Sequence, residues 1–143
     1  MAEAIFRHKV KAAGLINSFT IDSAGTGDWH VGQLPDPRTI RVLEQNGITE
    51  LSRARQVKSS DFENFDHIIA MDLPNERDLH NWQGARTDQV SLMSSWNPTS
   101  RLIEVPDPYY GDQQGFIEVY EILDEATDAL LMKLRNLENN PNG

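Results

Sequence analysis

Short apolar runs, each ending in a turn, alternate with amphipathic helical stretches along almost the whole chain. This alternation constrains the fold most strongly, because strands separated by helices pair in parallel and the helices cover the faces of the sheet. A helix is predicted over Met1–Ala13, closed by Gly14. Phe19–Asp22 reads as a strand that runs into the glycine-rich loop Ser23–Gly32. Asp36 is placed to cap a helix with Pro37 at its first position, running from Arg38 to about Asn46 and ended by Gly47. Ile40, Leu43 and Ile48 point to the core, while Arg41, Val42 and Gln45 alternate faces. Ser59 or Ser60 caps a short turn over Asp61–Phe65.

His67–Met71 is a compact apolar strand suited to a buried parallel position. It stops at Asp72, where Pro74 and Asn75 open a helix toward Trp82. Gln89–Trp96 reads as a helical turn or a loop. Leu102–Val105 reads as a strand halted by Pro106. The longest helix, about Gly115–Asn136, carries an apolar stripe of Phe116, Val119, Tyr120, Leu123, Ala126, Leu130, Leu131 and Leu134. The order α-β-α-α-β-α-(α)-β-α therefore predicts an α/β fold of three layers, a parallel sheet with helices on both faces. Residues 1–138 form one domain and 139–143 are expected to be a disordered tail.

Composition narrows the chemistry. With 22 acidic against 13 basic residues the net charge is -9, which argues against nonspecific binding to nucleic acid or to an anionic membrane, a local basic patch aside. No apolar run reaches the length of a membrane span and the N-terminus lacks a signal-peptide core, so a cytoplasmic location is expected. There is no cysteine, which excludes disulfides, thiolate metal sites and thiol catalysis by these residues. His8, His30, His67 and His80 show no paired ligand spacing on a common helix face, so no metal site is expected. The glycines of Ser23–Gly32 fit neither a dinucleotide fingerprint nor a Walker loop.

In an open parallel sheet, ligands sit beyond the carboxyl ends of the strands. Three loops leave such ends: Ser23–Gly32, Asp72–Asn75 and Asp107–Gly111. They bring Asp28, Trp29, His30, Asp107, Tyr109 and Tyr110 toward one edge. Pro106 and Pro108 bracket Asp107 and hold its segment extended, which suits a general acid in an aromatic-walled pocket as well as a plain turn. The start of the first helix should face the same edge and offer its unpaired N–H groups to an anion. Together these features suggest a pocket for a flat aryl group carrying phosphate.

The segments 1–6 (Met-Ala-Glu-Ala-Ile-Phe), 22–26 (Asp-Ser-Ala-Gly-Thr), 28–32 (Asp-Trp-His-Val-Gly), 35–38 (Pro-Asp-Pro-Arg), 54–57 (Ala-Arg-Gln-Val), 61–66 (Asp-Phe-Glu-Asn-Phe-Asp) and 107–111 (Asp-Pro-Tyr-Tyr-Gly) resemble the low-molecular-weight protein tyrosine phosphatases, in order and spacing, up to about Leu134. The resemblance implies hydrolysis of phosphotyrosine proteins or small aryl phosphates through a phosphocysteine, without a cofactor. It implies Asp107 as general acid and then base, with Trp29, His30, Tyr109 and Tyr110 around the substrate ring. Asp22 and Ser23 would be structural partners of the loop.

Two departures accompany the likeness. In the family a strand and a phosphate loop (Cys, five residues, Arg, then Ser or Thr) immediately precede the Met-Ala-Glu-Ala helix, and neither the nucleophile nor the clamping Arg can be carried over to a position here. Ser52 also stands where a histidine is expected, which removes one supporting polar contact. The resemblance thus implies a truncated, inactive phosphatase that lacks its central first strand. Phe19–Asp22 and His67–Met71 would each present an unpaired edge, and the void would exceed the roughly 5–15 kcal/mol that holds a domain together. A fragment from a mis-assigned start codon is expected on these grounds, and the DNA upstream of Met1 would test it. A non-catalytic phosphotyrosine-binding or regulatory remnant is the alternative reading. A thioredoxin-coupled arsenate reductase is disfavoured, since that chemistry needs several cysteines.

Overall fold

A computed structural model describes residues 1–86, 88–100, 102–108 and 111–139, with the side chains of 138 and 139 left aside. The N-terminal helix α1 spans Ala2–Ala12, with Glu3 in its first turn and Lys9 and Lys11 in its last, as the helix dipole favours. Its end is set by Gly14, whose φ of 72° is the left-handed conformation that a Cβ disfavours. There the Gly14 N–H donates to the Lys11 carbonyl at 3.0 Å and the Leu15 N–H to the Val10 carbonyl at 2.9 Å. Helix α2, Pro37–Gln45, closes in the same way. Gly47 lies at φ 76°, and the Ile48 N–H donates to the Leu43 carbonyl at 2.9 Å. In both ends the residue after glycine packs on the helix it has just left: Leu15 with Val10 and Ile48 with Leu43.

A single turn, α3, spans Asp61–Asn64. Strand β1 is Ile68–Ala70 and strand β2 is Val90–Leu92, paired in parallel with Ile68 opposite Val90 and Ala70 opposite Leu92. Between them α4, Leu73–His80, is capped by Asp72, whose carboxylate accepts from the Asn75 N–H at 2.8 Å. A 3₁₀ turn over Met93–Trp96 follows β2, and α5 runs from Gln113 to Asn139.

The strands distribute their side chains by the two-residue period of extended chain. Ile68, Ala70, Val90 and Leu92 join Phe62, Leu79 and Trp82 on the α4 side. Ile69 joins Phe6 and Val10 of α1, Met93, and Leu130 and Leu131 of α5 on the other. Ile5, Leu43, Ile48, Val119 and Leu123 knit α1 and α2 to α5 in a cluster that Met71 also reaches. Helices thus cover both faces of a small parallel sheet, and the expected α/β layering holds.

Several expectations need correction. Among the described residues the sheet has two strands. Phe19–Asp22 is extended but joins no ladder; it packs Phe19 edge-on to Phe6 at 5.9 Å and gives the Ile21 carbonyl to the Arg7 guanidinium at 2.8 Å. The reason is that a strand exists only against a partner, and no described backbone hydrogen bond joins this segment to β1. Val90–Leu92, read as a turn or loop, is the second strand. Leu102–Val105 is not a strand: one bond, Val105 N–H to the Met71 carbonyl at 2.8 Å, ties it to the end of β1, and Leu102 and Ile103 are exposed. On α2, Val42 is buried with Leu43, whereas Ile40 is half-buried. Asn139 still belongs to α5, and residues 140–143 of the expected tail lie outside the described residues. No helix among the described residues is long and apolar enough to cross a membrane.

Candidate active site

The loops that carry the candidate residues are joined by successive hydrogen bonds. The stretch Gly25–Gln33 is pinned along residues 54–57. Gly25 N–H donates to the Arg55 carbonyl at 2.9 Å, Val57 N–H to the Gly25 carbonyl at 2.8 Å and Gly32 N–H to the Ala54 carbonyl at 2.8 Å. Thr26 Oγ1 then lies 3.4 Å from Asn75 Oδ1, linking this loop to the start of α4. From α4 the Leu73 N–H donates to Glu104 Oε2 at 2.8 Å, and the Val105–Met71 bond lies beside it. These two bonds hold the segment that delivers Asp107.

Beyond Asp107 the chain is fastened again. The Gly111 N–H donates to the Pro108 carbonyl at 2.8 Å and the Gly111 carbonyl accepts from Arg38 Nη1 at 2.8 Å. Arg38 is itself held by Asp36, which accepts from the Arg38 N–H at 2.8 Å, from Nε at 3.0 Å and from Nη2 at 2.9 Å. The adjacent guanidinium holds the Asp36 carboxyl below the usual carboxylate range. Asp36 is therefore the helix cap read from the sequence and also an arginine partner.

Of the sequence-derived candidates, Trp29 is 74% exposed and its ring lies over Gly27, so close that a Cβ at Gly27 would fall 2.2 Å from Trp29 Cζ3. His30 is exposed, sits edge-on to Trp29 with ring centres 6.2 Å apart, and shares a hydrogen bond with Gln33 Oε1 through Nδ1 at 3.1 Å. Asp28 is exposed and closes the turn by accepting from the Val31 N–H at 3.2 Å. Asp107 is exposed on its proline-flanked segment. Tyr109 and Tyr110 lie outside the described residues.

A cavity of about 210 Å³ opens between the start of α1 and this loop system, lined by Met1, Glu3, Ser23, Gln33, Leu34, Ser52 and Arg53 among others; neither Trp29 nor Asp107 lines it. A larger hollow of about 280 Å³ lies behind Glu104 and Val105, against α5, and contains none of the candidates.

At the floor of the smaller cavity stands a group the sequence reading passed over. Glu3 is 8% exposed. Its carboxylate accepts from Arg7 Nη1 at 2.5 Å, Ser23 Oγ at 2.5 Å and Ser52 Oγ at 2.9 Å. Burial raises the Glu3 carboxyl, but the hydrogen bonds from Ser23, Arg7 and Ser52 outweigh it and leave the group below its ordinary range. Ser52, which the resemblance left without its supporting contact, supplies one as a hydroxyl. A glutamate in the first turn of a helix with arginine four residues on was the available signal. Asp22, expected to be structural, accepts from the Ser23 N–H at 2.8 Å and from Arg55 Nε at 3.0 Å.

The fold is thus a parallel α/β unit in which the Trp29 loop and the Asp107 segment are each fastened to the start of α4. The family model for low molecular weight phosphotyrosine protein phosphatase matches residues 1–140, and the chain belongs to that family. The low molecular weight phosphotyrosine protein phosphatase of Schizosaccharomyces pombe is 49% identical over 123 residues, covering 84% of this chain and 78% of that protein. The Sus scrofa protein of the same description is 38% identical, covering 94% and 87%. A crystal structure of protein tyrosine phosphatase from Entamoeba histolytica, with Hepes in its active site, superposes with a TM-score of 0.89 at 36% identity, covering 96% of this chain and 88% of that one.

Proposed function

We propose that these residues supply the proton-transfer and ring-binding half of a protein-tyrosine phosphatase that acts on phosphotyrosine proteins or small aryl phosphates. Asp107 protonates the phenolic leaving oxygen as the P–O bond breaks, and its conjugate base then activates the water that releases phosphate. Trp29, His30, Tyr109 and Tyr110 surround the aryl ring. Phosphorus is attacked in such chemistry by a thiolate, and none of residues 1–143 is a cysteine. By themselves they therefore do not turn over an aryl phosphate. Loss of a covalent nucleophile removes on the order of 10^6 in rate in a comparable acyl-transfer enzyme.

The family match over residues 1–140 carries this reading, because that range includes both the Asp107 loop and the Trp29 loop. The test has two arms. Residues 1–143 should hydrolyse p-nitrophenyl phosphate no faster than a heat-killed control; turnover well above it would sink the reading. When an apolar strand followed by Cys-(five residues)-Arg-Ser-Pro is joined ahead of Met1, turnover should appear. In that chain Asp107→Asn should lower kcat by roughly 10²–10⁴-fold. An unchanged kcat in the Asp107→Asn variant would remove Asp107 from the acid role.

A further inference from the structure

Arg38 has a role that its place in the chain does not announce. Its guanidinium is oriented on one side by Asp36, through Nε at 3.0 Å and Nη2 at 2.9 Å. The guanidinium carbon lies 4.4 Å from the centre of the Phe116 ring at the start of α5. A planar fork fixed at one edge and stacked on one face has no remaining freedom of direction, so the third nitrogen is aimed by the other two. Nη1 meets the Gly111 carbonyl at 2.8 Å, at the point where the Asp107 segment turns into α5.

The Arg38 backbone completes the joint. Its carbonyl lies 3.4 Å from Gln113 Nε2, and Arg41 Nη1 donates to Gln113 Oε1 at 3.2 Å. The entrance of α2 is thereby fastened to the entrance of α5. The upstream side of the Asp107 segment is held separately, by Val105 on Met71 and by Glu104 on Leu73.

We infer that Arg38 is a positioning residue for the aspartate segment: an oriented arginine that fixes its downstream end at Gly111. Nε, Nη1 and Nη2 each take part in these bonds, which together set the direction of the guanidinium. A lysine cannot substitute, because a single ammonium on a flexible stem cannot hold Asp36 with two donors and Gly111 with a third. The inference rests on the proposed function only for calling Asp107 the acid.

The test is amide hydrogen exchange by NMR on the full 143-residue chain, comparing wild type with Arg38→Met, which keeps an apolar stem against Phe116, and with Arg38→Lys. In both variants exchange at Gly111 should rise at least about tenfold, the loss equivalent to one hydrogen bond of about 1.4 kcal/mol. Val105, and Val119 and Leu123 within α5, should stay within about twofold. An unchanged Gly111 would overturn the assignment. A rise shared equally by all four amides would also overturn it, since Arg38 would then be a general stabiliser. Full protection of Gly111 in Arg38→Lys would show that charge alone suffices and would overturn the oriented fork. A negative result here leaves Asp107 as acid, whereas an inert Asp107→Asn change in the extended chain leaves the Arg38 joint intact.

Discussion

Replacing Glu3 by Gln tests the floor of the site with the least change of shape. The glutamine keeps the volume, and its carbonyl can still accept from Ser23 and Ser52 in place of Oε1. It loses the charge that faces Arg7, and its NH2 group stands where Oε2 took the 2.5 Å bond from Arg7 Nη1. Breaking a buried pair in this way costs about 3–5 kcal/mol when the partner is left uncompensated. Arg7 is not left so: its side chain is 18% exposed and its Nη2 keeps the Ile21 carbonyl at 2.8 Å. The expected loss is therefore about 2–3 kcal/mol at neutral pH, in the range of one hydrogen bond to a charged group.

The pH dependence gives the decisive check. A carboxyl whose folded pKa lies below its unfolded value of about 4.3 adds stability that is fully present above that value and lost as pH falls through the folded pKa. Glu3 is such a group. Urea midpoints of wild type and Glu3→Gln should be far apart at neutral pH and converge in acid, with the other shifted carboxyls cancelling between the two chains. A difference below about 0.5 kcal/mol at neutral pH, or one that stays constant into acid, would refute the reasoning.

Other outcomes follow from the same structure. Asp61→Asn should cost about 3 kcal/mol in urea, since the buried carboxylate accepts from Arg55 Nη1 at 2.9 Å, Arg55 Nη2 at 3.1 Å and the Lys58 N–H at 2.9 Å. Phe62→Ala, at a residue 1% exposed between α4 and the sheet, should cost about 3–5 kcal/mol by the cavity it leaves. Gly27→Ala should displace the Trp29 ring, whose Cζ3 would lie 2.2 Å from the new Cβ; because that ring is largely exposed, tryptophan emission should shift while the urea midpoint changes by less than about 1 kcal/mol.

What could be read from the sequence is what is local. Asp36-Pro37, Gly14 and Gly47 announce helix ends because the cap, the fixed φ and the left-handed turn are properties of a few adjacent residues. The α5 stripe is legible because it repeats over many turns. Val90–Leu92 was not: three residues are too few to show a period, and only the pairing with Ile68–Ala70 makes them a strand. Phe19–Asp22 and Leu102–Val105 failed in the opposite direction, having strand-like side chains but no ladder. The aspartate segment was singled out by its prolines. Its anchors at Leu73, Met71 and Arg38 were not, since nothing in a linear chain relates Gly111 to a residue 73 positions earlier. The serines on Glu3, 20 and 49 residues away, were hidden for the same reason.

The small sheet is apolar on both sides, so polarity cannot tell β1 which way to face. Size has to do so. Ala70 sits 3% exposed beside Phe62 and Leu79, while Ile69 looks the other way onto α1 and α5. Sliding the strand by one residue would thrust an isoleucine into a slot shaped for a methyl group, an overpacking of about 1–3 kcal/mol, and leave an alanine rattling in the space opposite. In this molecule the frame of β1 is guarded by bulk, and Ala70 is its sentinel.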